Sequence, residues 1–453
     1  AGSLGDRFGR KGTLLVGLTV YAIGNGAASL ATSTEALIAT RGVMGIGAAI
    51  IFPTTLSIIT NVFTERHERA RAIGLWGAST GIAIALGPIV GGALLESFSW
   101  PATFVAKIPV ALAAGALVAW LVPTSRDPEA PKLDPLGLLL STLTIGVIVY
   151  ALIEAPEAGW ASTQTLGLFA AGIVGLAAFI GWERRTPEPM LDVNIFRNLR
   201  FSAASLSVTV AFFALAGFIF LITQYFQFLK GYGPLETGFR LLPVATSVAI
   251  SSIVGTQLAV RYGTKFIVGG GLVILSIAYA WVSTADAATS YLEIACQMIL
   301  LGTGMGLTSA PATESIMGAV SNAKAGIGSA VNDTTRELGG TLGVAVIGSV
   351  FASLYQDAFK VDSVRDIPAA ALGPAQESIG AALIAAQRLT EAGAGGSATT
   401  LGQVASQGFF DGLQAGCLVA SAVCAIGAVF CFAVLPAHPQ PVPEETPAEA
   451  AAA

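Results

Sequence analysis

Charge is scarce in this chain. Of 453 residues only 11% are Asp, Glu, Lys or Arg, too few polar side chains to coat a soluble globule of that length. Histidine is rarer still: His67 and His438 are the only two, and both lie outside the apolar runs. No histidine-based catalytic or metal site can therefore be built within those runs. The four cysteines, Cys296, Cys417, Cys424 and Cys431, sit in apolar runs without the CxxC or His spacing that metal sites need, and they read as small packing residues. Catalytic spacings of His, Asp, Glu or Ser near an interface are missing too, so an enzyme is not expected. The net charge of −5 suggests no nucleic-acid partner.

What the chain has instead is apolar length. It is 54% hydrophobic with a mean hydropathy of +0.73, and a bilayer core of roughly 30 Å takes about 20 such residues per helix. Twelve spans are expected, near 12–32, 36–60, 72–95, 101–122, 135–154, 162–182, 201–225, 235–260, 264–284, 290–314, 328–356 and 408–435. Backbone polar groups in lipid must be satisfied internally, which selects helices for runs this long. The predicted fold is thus an all-α polytopic membrane protein.

Lys and Arg fix an orientation. With the opening turn placed in the cytoplasm, fifteen of them fall on that side and four on the other, the remaining four lying in or at the ends of spans. That asymmetry is the positive-inside pattern. Seven Lys against sixteen Arg, with abundant Ala and Gly, suggests a bacterial source with a GC-rich genome, hence a plasma (inner) membrane location. Residues 357–407, rich in Ala, Gly and Ser, read as a long outward connection. A solvated loop and a helical cap over the outer mouth, with 375–391 as helix, are both compatible with its composition. The tail 436–453 reads as a disordered cytoplasmic segment.

The opening motif is specific. Gly2, Leu4, Gly5, Asp6, Arg7, Gly9, Arg10 and Lys11 fill every fixed position of G-x-L-[AG]-D-R-x-G-R-K, and the stretch resembles the signature loop between the second and third spans of the major facilitator superfamily. A weaker copy, G-T-Q-L-A-V-R-Y-G-T-K at Gly255 to Lys265, is what internal duplication would leave. Arg41, in R-G-V-M-G-I-G-A-A, resembles the fourth-span arginine of proton-coupled members. An arginine inside an apolar helix is expensive unless paired or facing water, although snorkelling to the interface would also relieve it. Gly77, Gly81, Gly87, Pro88, Gly91 and Gly92 line the next span. Glycine spacing alone indicates packing, but G-P-x-x-G-G after Arg41 resembles the fifth-span motif of the antiporters, where it kinks the helix and gates the outward pathway.

The resemblance extends to the fourteen-span drug:proton antiporter branch, the EmrB/QacA type. The loop ERRTPEPMLDVNIFRNLRF and the span SAVNDTTRELGGTLGVAVIGSVFASLY are similar to segments of that branch. It implies that the first two spans are missing from the chain, twelve being present of fourteen. Residues 1–122 would then hold spans three to six of the first bundle, 123–200 two linker spans and a connection, and 201–435 a six-span second bundle. Pro101, Lys107 and Glu337 depart from the branch pattern, and the membrane carboxylate that many relatives carry in the first span would lie in the missing piece.

The function this implies is proton-driven export of small lipophilic or amphipathic compounds by alternating access, with antibiotic resistance through multidrug efflux as its consequence. The proton gradient is the energy source, no cofactor is needed, and the protein is expected to work as a monomer with a small-molecule substrate, protons and the bilayer as its partners. Asp333 and Glu337 are proton-coupling candidates beside Arg41; with Arg336 they share one helix face at i, i+3 and i+4, so an internal ion pair is an equal reading. Phe212, Phe220, Gln224 and Tyr225 are cavity candidates by type, against a lipid-facing alternative for the phenylalanines. A narrow exporter of an endogenous metabolite or lipid, an importer and a non-transporting receptor are the rival readings.

Overall fold

The structure is a computed structural model; it describes residues 5, 7–125, 134–187, 189, 191, 193–320, 325–360 and 367–437. Gly2, Leu4 and Asp6 of the opening motif, and the tail from 438 on, lie outside the described residues.

Among the described residues twelve long helices follow one another. They are α1 (Arg10–Ser29), α2 (Thr34–Val62), α3 (Arg66–Ser97), α4 (Lys107–Leu121), α5 (Pro135–Ala158) and α6 (Thr163–Glu183), then α7 (Leu199–Gln224), α8 (Leu242–Tyr262), α9 (Thr264–Val282), α10 (Tyr291–Met317), α11 (Ala325–Asp357) and α12 (Gly395–Val434). Eleven carry stretches long and apolar enough to cross a membrane. The exception is α1, in which Asn25 and several glycines dilute the apolar run. Among the described residues there is no β-strand.

Polar side chains start these helices where the apolar runs begin. Ser33, Asp134, Ser162 and Ser290 each accept a hydrogen bond from a backbone N–H three residues on, satisfying one of the donors a helix start leaves free. Helices α1, α2 and α4 pack together; α3 instead lies along α8, and α5 and α6 pair with each other, α5 also touching α11. Trp160, just past α5, donates its indole N–H to Ser349 of α11 at 2.5 Å. Helices α7 to α12 enclose one continuous apolar core.

The duplicated motif is visible in the backbone. Gly9 and Gly263 hold φ near +102° and +104°, a region that favours glycine. In each case the next residue's amide reaches the chain just beyond the last helix of its own half: Arg10 N–H donates to Ser125 O at 2.9 Å, and Thr264 N–H to Ala437 O at 2.8 Å. These two clamps mark one end of the molecule, called here the basic face; the opposite end is the far face.

Of the two readings of residues 357–407, the described residues there take the helical one. Two helices, Ala369–Glu377 and Ile379–Glu391, lie on the far face, and α12 begins at Gly395, well before the expected 408. Ala375, Ile379, Ala382, Ala385 and Leu389 are buried, a helical stripe packed onto the core of α7 to α12. Tyr355 donates its hydroxyl hydrogen to Ala375 O at 2.9 Å and fixes the first of the two.

Candidate functional site

The seam along α3, where it meets α8, Ala310 of α10 and the short helix Pro234–Arg240, is set by small residues. A Cβ on Gly81 would stand 2.5 Å from Ala245 O, one on Gly77 3.0 Å from Ala310 Cβ, one on Gly74 2.5 Å from Thr256 Oγ1 and one on Gly92 2.7 Å from Leu235 Cα. These helices meet backbone to backbone, the geometry that small residues permit in a membrane. The six residues of the expected gating motif therefore separate. Gly77, Gly81 and Gly92 are on the seam, and Pro88 is there too, its carbonyl carbon 2.8 Å from a Cβ built on Gly238. Gly87 and Gly91 face open space. Gly74 belongs to the seam and was not singled out in the sequence.

Part way along this seam is a buried charge cluster. Arg336 of α11 is 7% exposed, and its guanidinium carbon lies 4.7 Å from the Trp76 ring of α3 and 4.3 Å from the Phe212 ring of α7. Its Nη2 donates to Thr80 Oγ1 of α3 at 3.1 Å, and Nη1 stands 3.8 Å from Asp333 Oδ1. That last separation is an ion pair without a good hydrogen bond. Asp333 Oδ2 is buried with no hydrogen-bond partner among the described residues. Asn332, fully buried, accepts from Thr313 Oγ1 of α10 at 2.9 Å and orients its amide toward Asp333.

A guanidinium this far from water is costly. Two aromatic faces, each worth about 0.5–2 kcal/mol, and one weak ion pair offset part of that cost. The arrangement also ties α3 to α7 and α11, so it must rearrange if the two halves move apart.

Toward the basic face the seam closes again. Arg69 of α3 lies 3.9 Å from Glu314 of α10, whose side chain is 3% exposed. Leu56 and Ile73 pack against Met317 and Ala325, and Ser329 of α11 donates to Pro53 O of α2 at 2.6 Å.

The other expected site residues are placed elsewhere. Arg41 is exposed, and its charge acts on that of Lys107. It lies fourteen positions before Thr55, which accepts the Trp76 indole N–H, so it is roughly 20 Å away along α2. The structure does not bring it to Asp333. Glu337 is exposed. Gln224 donates to Phe220 O on its own helix. Tyr225, 2% exposed, packs with Phe226, Phe409 and Phe410 near the far face, and Phe220 packs edge-on against Phe351. Of the four aromatic or amide candidates, Phe212 alone reaches the charge cluster. Of the opening motif, Arg10 is 2% exposed, Gly5 adjoins Thr54, and Arg7 and Lys11 sit beside them at the basic face.

Trp76 and Thr80 are the residues that sequence reading missed. Their signal was present: two polar-capable side chains at i and i+4 beside the glycine stripe of α3. Nothing in the sequence, however, says that Arg336 faces them.

Comparison with known proteins agrees on the fold and the class. The family model of the Major Facilitator Superfamily matches residues 1–344. The multidrug efflux pump LfrA of Mycolicibacterium smegmatis is 35% identical over 434 residues, 95% of this chain and 85% of that protein. The tetracenomycin C resistance and export protein of Streptomyces glaucescens is 32% identical over 469 residues, covering 100% and 85%. Among solved structures, the human organic anion transporter MFSD10 (TETRAN) superposes with a TM-score of 0.62 at 13% identity, over 95% of this chain and 79% of that one.

Proposed function

The chain belongs to the Major Facilitator Superfamily, and we propose that within it this protein is a proton-coupled exporter of small lipophilic or amphipathic compounds, of the fourteen-span EmrB/QacA kind. It works by alternating access in a bacterial inner membrane, with the basic face in the cytoplasm and the far face outside. Relatives named for multidrug efflux and for antibiotic export support the direction and the breadth of cargo. The observation that carries the coupling is the Asp333–Arg336 pair, buried on α11 and held against Trp76 and Thr80 of α3 and Phe212 of α7.

A carboxylate couples proton to cargo when its proton affinity changes with conformation. Asp333 meets that requirement because its counter-ion is shared between the halves. When α11 moves away from α3, Arg336 leaves Thr80 and Trp76 with it and turns fully to Asp333, which gives up its proton; when they close, Arg336 is drawn back to α3 and Asp333 takes a proton. Arg41, near the far face, has a separate part in the proton path, and the α3 seam limits leak.

The test is dye accumulation in inverted vesicles carrying the protein, with and without a proton gradient, using one cationic and one neutral lipophilic dye. Gradient-driven accumulation is expected, with Asp333→Asn reducing it by about tenfold or more, equivalent to about 1.4 kcal/mol. Flux indifferent to the gradient would sink antiport. A narrow cargo is the second reading, favoured by relatives named for single antibiotics, and it gains if neither dye moves through folded, inserted protein.

A further inference from the structure

Between α7 and α8, near the far face, stands the short helix Pro234–Arg240. It does not simply continue the loop. It lies on α3 at the glycine-proline motif, and the approach is backbone to backbone at two points. A Cβ on Gly92 would stand 2.7 Å from Leu235 Cα and N, and a Cβ on Gly238 2.8 Å from Ile89 N and the Pro88 carbonyl carbon. Gly91, the neighbour of Gly92 in the same motif, faces nothing within 4 Å.

The other side of the short helix is anchored to its own half. The Arg240 guanidinium is sandwiched between Tyr232 at 3.9 Å and Tyr291 at 4.6 Å. Both its Nε and its Nη2 donate to Glu236 Oε1, at 3.1 and 2.7 Å, and Tyr291 donates its hydroxyl hydrogen to Arg240 O at 3.2 Å. The segment just before the helix is tied to the same turn: Lys230 Nζ donates to Ala287 O and Thr289 O. One surface is thus side-chain bonded and stapled; the other is a bare van der Waals contact between backbones, with no hydrogen bond or ion pair recorded across it among the described residues.

We propose that Pro234–Arg240 is a latch that closes the outer end of the seam by docking on α3, that it undocks as part of the second half, and that Arg240 is the positioning residue that keeps it in docking register. The proposal rests on the alternating-access reading above. The asymmetry of the two surfaces carries it. A contact that must open and close repeatedly suits smooth, close-packed backbone, which has no ion pair to desolvate at each cycle. A tether that must survive the motion suits the stacked and doubly bonded arginine.

The experiment measures latch position directly, without asking whether cargo moves. Spin labels at Ser97→Cys on α3 and Phe239→Cys on the latch, both exposed positions, are placed in a Cys296→Ser background because Cys296 is the exposed cysteine. Distances are recorded in lipid nanodiscs at pH 8 and pH 5.5. Docked and undocked populations whose ratio changes with pH are expected. Gly92→Ala should move that ratio toward undocked by about tenfold or more, while Gly91→Ala leaves it unchanged. Arg240→Ala should broaden the docked distance, and Arg240→Lys should restore part of it, keeping the charge over the tyrosines but losing the fork to Glu236. A single distance, insensitive to pH and to Arg240→Ala, with Gly92→Ala and Gly91→Ala alike, would overturn the latch. If the latch moves and no dye is transported, the latch stands and the broad-export reading fails; if dyes are transported past a latch that never moves, the reverse holds.

Discussion

From Phe201 onward the buried apolar residues join into one cluster that runs through α7 to α12 and out to the far-face helices. The stretch from α1 to α4 contributes a small group of its own, Ala28, Met44 and, on the short helix Ala102–Val105 before α4, Phe104, with Tyr21 and Leu37 beside it. Close glycine contacts occur in both halves: Gly47 of α2 against the Tyr21 backbone, Gly343 of α11 against that of Phe213. Large side chains interlock in a continuous series in the second half, where Phe409 meets Phe351 edge-on at 5.1 Å and Phe351 stacks on Tyr355; around α1 to α4 the described residues show the isolated pair Trp100 and Phe104, edge-on at 6.0 Å. Lipid tails are as apolar as leucine, so an exposed apolar face on α4 or α6 carries no penalty in a bilayer, and packing and close approach decide what holds. The second half is therefore a body in its own right. The first takes much of its order from the seam, where α3 lies on α8.

Truncating one phenylalanine in each half tests that difference, and it should give the largest effect. Phe409 is fully buried and Phe104 8% exposed. Phe409→Ala is expected to cost about 3 kcal/mol or more, because the interlocked rings cannot collapse into the space, whereas Phe104→Ala should cost about half of that. Thermal unfolding of the purified proteins in detergent would show it; equal losses would dissolve the contrast. Next in size is the seam. Gly81→Leu drives a side chain into the Ala245 backbone and should abolish dye transport while the second half still unfolds near the parent temperature. Gly87→Leu, facing open space, should transport normally.

How much of this could be read in advance differs between the halves for physical reasons. The spans were legible because apolar length is a local property, and the repeat that pairs Gly9 with Gly263 because a duplicated motif keeps its glycine where φ must be positive; the bonds to Ser125 and Ala437 were not. The stripe Ala375, Ile379, Ala382, Ala385, Leu389 was harder, since alanine-rich helix and alanine-rich loop have similar composition. The site was only half legible. Spacing put Asp333 and Arg336 on one face, but which residues of α3 and α7 cover that face is a property of helix rotation in the assembly. The same applies to the motif glycines: sequence makes Gly91 and Gly92 equivalent, and only the neighbouring Leu235 distinguishes them.

The two clamps should then cost the same when broken, whatever the packing behind them. Gly9→Ala and Gly263→Ala each force a side chain into a positive-φ backbone region that favours glycine, at a cost of about 1–3 kcal/mol. Equal shifts in melting temperature would say that the backbone strain is local. A larger loss at Gly9 would say that the first half depends on its clamp because it has little core to fall back on.

Smallest of all should be the effect of acid on the loop carboxylates, one in each half. Glu65 caps α3 and accepts from Glu68 N–H at 2.9 Å; the backbone amides of Glu68 and then His67 hold its carboxyl below the usual range. Asp286, in the turn between α9 and α10, is held low first by the Thr289 hydroxyl and then by backbone amides and Lys230. A depressed carboxylate pKa contributes stability that is present above the unfolded value, near 4, and lost as pH falls through the folded one. Glu65→Gln and Asp286→Asn should each remove some of the acid-side slope and leave pH 7 nearly unchanged. Their local consequences should differ. Fraying at Glu65 stays in the first turn of α3. Loosening the Asp286 turn also frees the carbonyls that accept from Tyr225 and Lys230, so hydrogen exchange at pH 4 should quicken from 225 to 232 in Asp286→Asn and not in Glu65→Gln. The half with the larger core is thus expected to transmit the perturbation further, because Tyr225 and Lys230 bond to the Asp286 turn from another segment, whereas the Glu65 cap bonds within the first turn of its own helix.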